Sequence, residues 1–134
     1  AMDWLASQTD KPEGTEKGKP MNNKEVALKA AKILSNKKAS DLVVIDIAEK
    51  SSFADYLVIA TGGSERQIGT LSNEVLDQFA IDGIFPKNTE GKRGSGWVLL
   101  DYGDILVNIF SAEQRSRYNL EKIWGDGALL PIED

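Results

Sequence analysis

Gly96-Trp97-Val98-Leu99-Leu100-Asp101-Tyr102-Gly103-Asp104-Ile105-Leu106-Val107-Asn108-Ile109-Phe110 is the stretch of this chain that decides the fold class. Two apolar runs, 97–102 and 105–110, are joined across Tyr102-Gly103-Asp104. Short runs rich in aromatic and branched residues, separated by a glycine-containing turn, are typical of a β-hairpin. We therefore predict an antiparallel pair of strands here.

The first strand of this hairpin has two unlike faces. Side chains alternate along a strand, which divides the residues into two sets: Trp97, Leu99 and Asp101 on one face, and Val98, Leu100 and Tyr102 on the other. A face that carries both a tryptophan and an aspartate is not a typical core surface. We predict that this face is only half covered by the rest of the fold.

Two helices and two strands are predicted before the hairpin. Apolar residues at spacings of three and four follow possible capping boxes at Asn22 and Ser64, and predict helices that end near Lys37 and Asp82-Gly83. Between them, two nearly continuous apolar runs, 42–47 and 56–60, suit strands covered on both faces.

The remaining segments complete the predicted order of elements. Residues 87–96 contain three glycines and three basic residues, including Lys92 and Arg93, and are interpreted as a mobile basic loop. After the hairpin, Ser111 is predicted to cap a last helix that ends at Gly125. The order α-β-β-α-β-β-α indicates an α/β (α+β) domain with a mixed sheet and helices packed on it.

The first 20 residues differ in composition from the rest. They are rich in Lys, Glu, Gly, Thr and Pro, and Met2, Trp4 and Leu5 are the only large apolar side chains before Met21. Such a segment buries too little surface to offset its ordering entropy. We expect residues 1–20 to be a disordered leader added for expression, Met21 to be the natural start, and 21–134 to be one domain.

Composition excludes several classes of function. The net charge is -5, which has the wrong sign for a protein that binds nucleic acid mainly through phosphates. The chain has no cysteine and no histidine, so thiolate zinc sites, cysteine nucleophiles and histidine general bases are absent. No apolar run approaches the roughly 20 residues that cross a bilayer. We expect a cytoplasmic protein.

Five ordered blocks resemble the ribosomal silencing factor (Iojap-like) family. The likeness runs from about Glu25 to Gly127, and the blocks are Phe53-Ala54-Asp55-Tyr56, Ile59-Ala60-Thr61-Gly62, Ser64-Glu65-Arg66-Gln67, Gly96 to Asp104, and Tyr118-Asn119-Leu120-Glu121-Lys122-Ile123-Trp124. The resemblance implies a fold related to nucleotidyltransferases, and a repressor of translation under nutrient limitation that binds the large ribosomal subunit through its ribosomal protein numbered fourteen. It implies steric exclusion of the small subunit, no catalysis, no cofactor, and a homodimer in some members.

Two positions depart from the family pattern. Asn108 stands where a histidine is usual, and Arg117 stands where an aromatic residue is common. Asparagine keeps a hydrogen-bonding side chain but cannot carry the charge of an imidazolium. A pH response at this position is therefore not expected in this chain.

Trp97 is the predicted anchor of the contact with a partner. Exposed tryptophan is typical of binding hot spots, whereas the alternative is an ordinary core tryptophan. Leu99 and Asp101 lie on the same predicted face and are predicted to share the interface. Tyr102 lies on the opposite face by alternation, but the turn that follows could release it, and it is included among the candidates.

Three further candidates lie on predicted helices. Arg66 is in the first turn of a helix, where a cation gains nothing from the helix dipole, so it is a candidate contact residue. Arg115 and Tyr118 are three residues apart and therefore lie on one helix face. The alternatives are a solvated Arg66, and a Tyr118 that packs on the sheet beneath Arg115.

Evidence for catalysis in the sequence is weak. Asp101 and Asp104 could hold a divalent cation, but aspartate is also favoured in turns. Gly62-Gly63-Ser64 could cradle a phosphate at a helix start, although any strand-to-helix turn has this composition. The glycine-rich segment 91–96 lacks the spacing of a phosphate loop. A nucleotidyltransferase-like enzyme and an assembly factor for the large subunit remain the alternatives.

Overall fold

A computed structural model of the chain describes residues 22–49, 51, 52, 54–91, 94–118 and 128–130. Within these residues, the elements are α1 (Asn23–Asn36), β1 (Ser40–Asp46), β2 (Tyr56–Gly62), α2 (Glu65–Ile81), β3 (Asn88–Glu90), β4 (Trp97–Asp101), β5 (Ile105–Ser111), α3 (Ala112–Tyr118) and β6 (Ala128–Leu129). The predicted order of helices and strands is confirmed, with two short strands added at β3 and β6.

The strands form one mixed sheet in the order β3-β4-β5-β2-β1-β6. β2 and β5 are parallel and central, and the other neighbouring pairs are antiparallel. Both faces of β2 are buried, as its continuous apolar run predicts. The predicted hairpin is the β4–β5 pair, in which Leu99 lies opposite Asn108.

Helices α1 and α2 cover one face of the sheet and form the larger core. Side chains from both helices pack on alternate residues of the central strands, and the fully buried members include Leu34, Leu71, Phe79, Val58 and Val107. The helix starts follow their predicted caps. Asn22 and Glu25 form a capping box at α1, and the Ser64 hydroxyl accepts the Gln67 N–H at α2.

The other face of the sheet carries a second, smaller core. Its buried members are Ile45, Ile47, Ala54, Leu57, Ile59 and Phe110, and the partly buried Val43, Trp97 and Leu106 pack against them. Helix α3 contacts this side through Arg115, which bonds to Thr61 of β2. The alternation predicted for β4 is therefore confirmed, because Trp97 joins this core and Leu100 joins the other.

The prediction that residues 87–96 form one loop was wrong in its first part. Residues Asn88–Glu90 form strand β3, which pairs antiparallel with β4 and places Glu90 opposite Leu99. Its side chains are all exposed. Since a strand whose side chains are all polar and exposed has no hydrophobic period, only the backbone pairing at the sheet edge reveals it.

Several sequence predictions lie outside the described residues. These are the leader 1–20 and Met21, the basic pair Lys92 and Arg93, and the predicted end of the last helix at Gly125. The start of that helix is described: the Ser111 hydroxyl accepts the Gln114 N–H, as predicted. Among the helices that the structure describes, none has both the length and the apolar character needed to cross a membrane.

Candidate functional site

Trp97 lies at the start of β4 in a cluster of three aromatic rings. Its ring is 5.2 Å from the ring of Phe110, with an interplanar angle of 24°, and 4.6 Å from the ring of Tyr118. Phe110 is fully buried, whereas Tyr118 is 44% exposed. Trp97 is half-buried and contacts both rings, and the Phe110 and Tyr118 centroids are 6.2 Å apart. The indole therefore connects the second core to the surface.

A groove opens beside this cluster of aromatic rings. Its volume is about 240 Å³, and its lining residues are Glu90, Gly91, Ser95, Trp97, Leu99, Gln114, Arg117 and Tyr118. We call it the Trp97 groove. Strand β3 and the start of β4 form one wall, and α3 forms the other. The groove therefore lies between two segments that both depend on β5 for their position.

The groove has apolar rings and alkyl groups with charges of both signs beside them. Trp97, Leu99 and Tyr118 supply the apolar surface, while Glu90 and Arg117 supply the opposite charges. This combination suits a side chain from a protein partner, since interface hot spots are rich in Trp, Tyr and Arg around a small dry centre. Among the described residues that line the groove there is no cysteine, histidine or pair of neighbouring carboxylates that would suggest covalent or metal chemistry.

Three of the seven predicted contact residues meet in the groove: Trp97, Leu99 and Tyr118. Trp97 and Leu99 come together because they alternate on one strand. Tyr118 joins them because α3 folds back over β5 immediately after Ser111. Tyr118 was interpreted either as a packed residue or as a contact residue. The structure is compatible with both, because the ring packs on Trp97 and is also partly open to solvent.

Asp101 and Tyr102 are placed differently. The Asp101 carboxylate accepts the Gly103 N–H at 2.8 Å, which is the local turn bond that favours aspartate at such positions. Tyr102 points to the helix-covered face, where its ring meets Phe79 edge-on at 4.9 Å. The turn does not release Tyr102 toward the Trp97 side. Neither residue lines the Trp97 groove.

Arg66 and Arg115 are also outside the groove. Arg66 is exposed in the first turn of α2 and lines a different cleft between α2 and the β3–β4 edge. The Arg115 guanidinium donates to the Thr61 hydroxyl at 2.9 Å. This bond connects α3 to β2, so Arg115 helps to hold in place the helix that carries Tyr118.

Five groove residues were missed by the sequence reasoning as contacts: Glu90, Gly91, Ser95, Gln114 and Arg117. Arg117 was noted only as a departure from the family pattern. Glu90 and Gly91 were assigned to a loop because their strand has no hydrophobic period. The available signal was Gly91 itself, since a glycine beside an apolar strand often marks a close approach of two backbones.

Gly91 is needed for the approach of β3 to β4. Its φ is +113°, and a Cβ added there would overlap the Trp97 carbonyl oxygen. Both the backbone conformation and the contact therefore disfavour alanine. We expect Gly91→Ala to lower the free energy of unfolding by about 2 kcal/mol, measured by urea denaturation, and to weaken protection of the β4 amides in hydrogen exchange.

Gly69 is the matched control for this substitution. It lies inside α2, and a Cβ added there would meet nothing within 4 Å. Gly69→Ala is expected to raise the free energy of unfolding by about 0.5–1 kcal/mol, because alanine favours a helix interior. Equal effects of the two alanines would contradict the proposed role of Gly91.

Tyr102 gives a pH-dependent prediction. Burial raises the pKa of its hydroxyl to about 12 from the ordinary 10.0, and this oxygen has no hydrogen-bond partner. Because the unfolded chain releases this proton first, the contribution of the neutral phenol to stability is complete below pH 10.0 and is lost as the pH rises toward about 12.

The corresponding measurement uses Tyr102→Phe. The variant should lose the tyrosinate absorbance step near pH 12, and its stability should fall less than that of the parent as the pH rises from 10.0 toward about 12 in denaturant titrations. At neutral pH its stability should be equal or higher by about 1 kcal/mol, because an unpaired buried hydroxyl is removed. A clear loss of stability at neutral pH would show that the hydroxyl has a partner.

The helix start at Gly62-Gly63-Ser64 is satisfied by the chain itself. The Gly63 N–H donates to the Gln67 side-chain oxygen at 2.6 Å, and the Gln67 N–H donates to the Ser64 hydroxyl. Gly62 serves packing, since a Cβ there would lie 2.8 Å from the Ile68 side chain. Among the described residues, no group of three or more acidic side chains is placed to hold a metal ion.

Sequence comparison identifies relatives of this chain. A family model described as "Ribosomal silencing factor during starvation" matches residues 20–134. The ribosomal silencing factor RsfS of Bacillus subtilis is 39% identical over 113 residues, which cover 84% of this chain and 96% of that protein. The chloroplastic protein Iojap of Zea mays is 34% identical over 108 residues, which cover 80% of this chain and 46% of that protein.

Solved structures have the same fold. A crystal structure of a protein from Chromobacterium violaceum matches with a TM-score of 0.76 and 29% identity, and the match covers 85% of this chain and 94% of that one. A Bacillus halodurans protein matches with a TM-score of 0.70 and 32% identity, over 83% of this chain and 100% of that one. Fold and sequence likeness therefore extend together over most of the domain.

Proposed function

Because this chain belongs to the ribosomal silencing factor family, we propose that it represses translation by binding the large ribosomal subunit and sterically blocking the small subunit, especially under nutrient limitation. The relatives are named as silencing factors, which is a regulatory activity. A repressor of this kind needs a docking surface and bulk, and it needs no reaction centre.

The Trp97 groove is the observation that supports this proposal. It combines a half-buried indole, the partly exposed Tyr118 ring and the Leu99 side chain in one concave site. An anchor held on one side by a buried ring loses little conformational freedom on binding, which favours affinity. We assign the contact with the ribosome to this groove.

The partner that we propose is ribosomal protein fourteen of the large subunit. The net charge of -5 disfavours a contact made mainly with ribosomal RNA, so a protein surface should provide most of the binding energy. The acidic body would also repel the RNA-rich small subunit. We propose a cytoplasmic location and little direct binding of nucleic acid, with homodimer formation as an open possibility for this chain.

We propose that no reaction is catalysed. The N–H groups of Gly63 and Gln67 at the start of α2, which a phosphate would use, are bonded to side chains of the chain. Asp101 is engaged in the hairpin turn. Calorimetric titration with nucleoside triphosphates and magnesium should give no heat of binding, and a saturable heat would favour the enzyme alternative.

Subunit joining tests the proposed mechanism directly. Adding the protein to separated ribosomal subunits should reduce the joined-ribosome peak on a sucrose gradient, and the protein should move with the large subunit. An undiminished peak at saturating protein would contradict occlusion. Association with the large subunit without any effect on joining would instead support an assembly factor.

A further inference from the structure

Asn108 is a polar residue in the middle of the second core. It is 2% exposed, and of the three buried polar residues in the described chain it is the least exposed. Its cross-strand neighbours are Leu99 of β4 and Ile59 of β2. An aliphatic side chain would suit such a position, because a buried amide reduces stability unless it is fully hydrogen-bonded. The presence of asparagine here requires a reason other than packing.

The amide makes one bond, and that bond is to the groove. The Trp97 indole N–H donates to the Asn108 Oδ1 at 3.0 Å, and the Asn108 Nδ2 has no partner. An indole N–H can only donate, so this contact fixes which end of the amide faces Trp97. The donor end of the Asn108 amide is thus unused, and the acceptor end holds the tryptophan.

The hydrogen bond supplies what ring stacking cannot. The Phe110 ring stacks on the indole and the Tyr118 ring meets it at a tilt of 42°, and neither contact is made to the indole nitrogen in a fixed direction. A directional bond to the indole nitrogen fixes the in-plane orientation of the ring. The edge of the ring that faces the Trp97 groove is thereby determined.

We propose that Asn108 is a positioning residue for the docking surface, which orients the Trp97 indole at the expense of fold stability. The inference rests on the proposed function, because an oriented indole matters only if a partner contacts it. It also has a consequence that a merely structural role would not have. Removing the amide should improve the core and impair the docking.

The effects on core stability and on docking can be separated by comparing the parent with two variants, because asparagine, leucine and aspartate all branch at Cγ. Asn108→Leu removes both polar atoms, whereas Asn108→Asp keeps an acceptor oxygen toward the indole in either protonation state. The first measurement is proton exchange of the Trp97 indole N–H by nuclear magnetic resonance, assigned with Trp97→Phe. Exchange should accelerate about tenfold in the leucine variant, as expected for loss of one hydrogen bond, and stay near the parent rate in the aspartate variant.

Binding to the large subunit is the second measurement. The leucine variant should bind about tenfold more weakly while its midpoint in urea is equal to or above that of the parent. The aspartate variant should bind within about threefold of the parent. If the leucine variant does not fold, Asn108→Val and Asn108→Thr provide a second pair that differs in one hydroxyl.

The outcomes separate the inference from the proposed function. Parent-like binding and indole exchange in the leucine variant would overturn the positioning role and leave the proposed function intact. A parent protein that does not bind the large subunit would refute the proposed function, and the indole exchange would still decide whether Asn108 holds Trp97. Weaker binding together with lower stability in both variants would indicate a structural role and would also overturn the inference.

Discussion

Replacement of Trp97 by alanine is expected to weaken binding to the large ribosomal subunit by about 30-fold or more, which corresponds to a hot spot of at least about 2 kcal/mol. The substitution removes the indole from the centre of the Trp97 groove and leaves the Tyr118 ring without its neighbour at 4.6 Å. The loss should appear mainly as faster dissociation, since short-range contacts determine how long a complex lasts.

The measurement is titration of the large subunit by fluorescence anisotropy, together with the gradient assay of subunit joining. Trp97→Ala should restore the joined-ribosome peak at concentrations where the parent abolishes it. Phe85→Ala is the matched control, because Phe85 is an aromatic residue that is 67% exposed and does not line the groove. Parent-like repression by a folded Trp97→Ala protein would disprove the assignment of the contact to the groove.

Phe79→Ala is expected to have the largest effect on stability. Phe79 is fully buried on the inner side of α2, where its ring contacts Tyr102 and packs in the larger core. Truncation of such a ring lowers the free energy of unfolding by about 3–5 kcal/mol. Since small domains have only about 5–15 kcal/mol in total, a large part of the stability should be lost.

Urea denaturation at 25 °C followed by far-ultraviolet circular dichroism measures this loss. Phe85→Ala is again the control, because it is the same substitution at an exposed position. It should change the free energy of unfolding by no more than about 0.5 kcal/mol. At temperatures where Phe79→Ala remains folded, it should still bind the large subunit. A selective loss of binding at full stability would place the recognition surface on the helix side of the sheet.

The two substitutions separate the tasks of the two sheet faces. The helix-covered face holds the larger core, and Phe79 lies at its centre. The opposite face holds a smaller core whose edge is the Trp97 groove. The Arg115–Thr61 bond and the Trp97–Asn108 bond both lie on this second face. The surface that we propose for recognition therefore combines these two polar contacts with a small apolar core.

The elements of the fold were largely predictable from local features. Capping residues at Asn22, Ser64 and Ser111 lie at the starts of the three described helices, and each bond is found in the structure. The alternation along β4 predicted which face carries Trp97 and Leu99. Such features involve residues within a few positions of one another, so their physical causes are visible in a short stretch of sequence.

The residues of the Trp97 groove were predictable only in part. Sequence reasoning selected Trp97, Leu99 and Tyr118, which meet in the groove, and also Asp101 and Tyr102, which the structure places in a turn and in the other core. The unsatisfied amide of Asn108 could not be anticipated, since its partner Trp97 lies on another strand.

The sequence by itself determined the helices, the central strands, the hairpin and the two unlike faces of β4, because backbone caps and hydrophobic periods are local. Tertiary structure alone decided that the polar strand β3 joins the sheet, that Glu90 and Tyr118 line one groove, and that Asn108 holds Trp97. These arrangements depend on the packing of segments that are distant in sequence. That packing cannot be predicted from the residues next to each position in the chain.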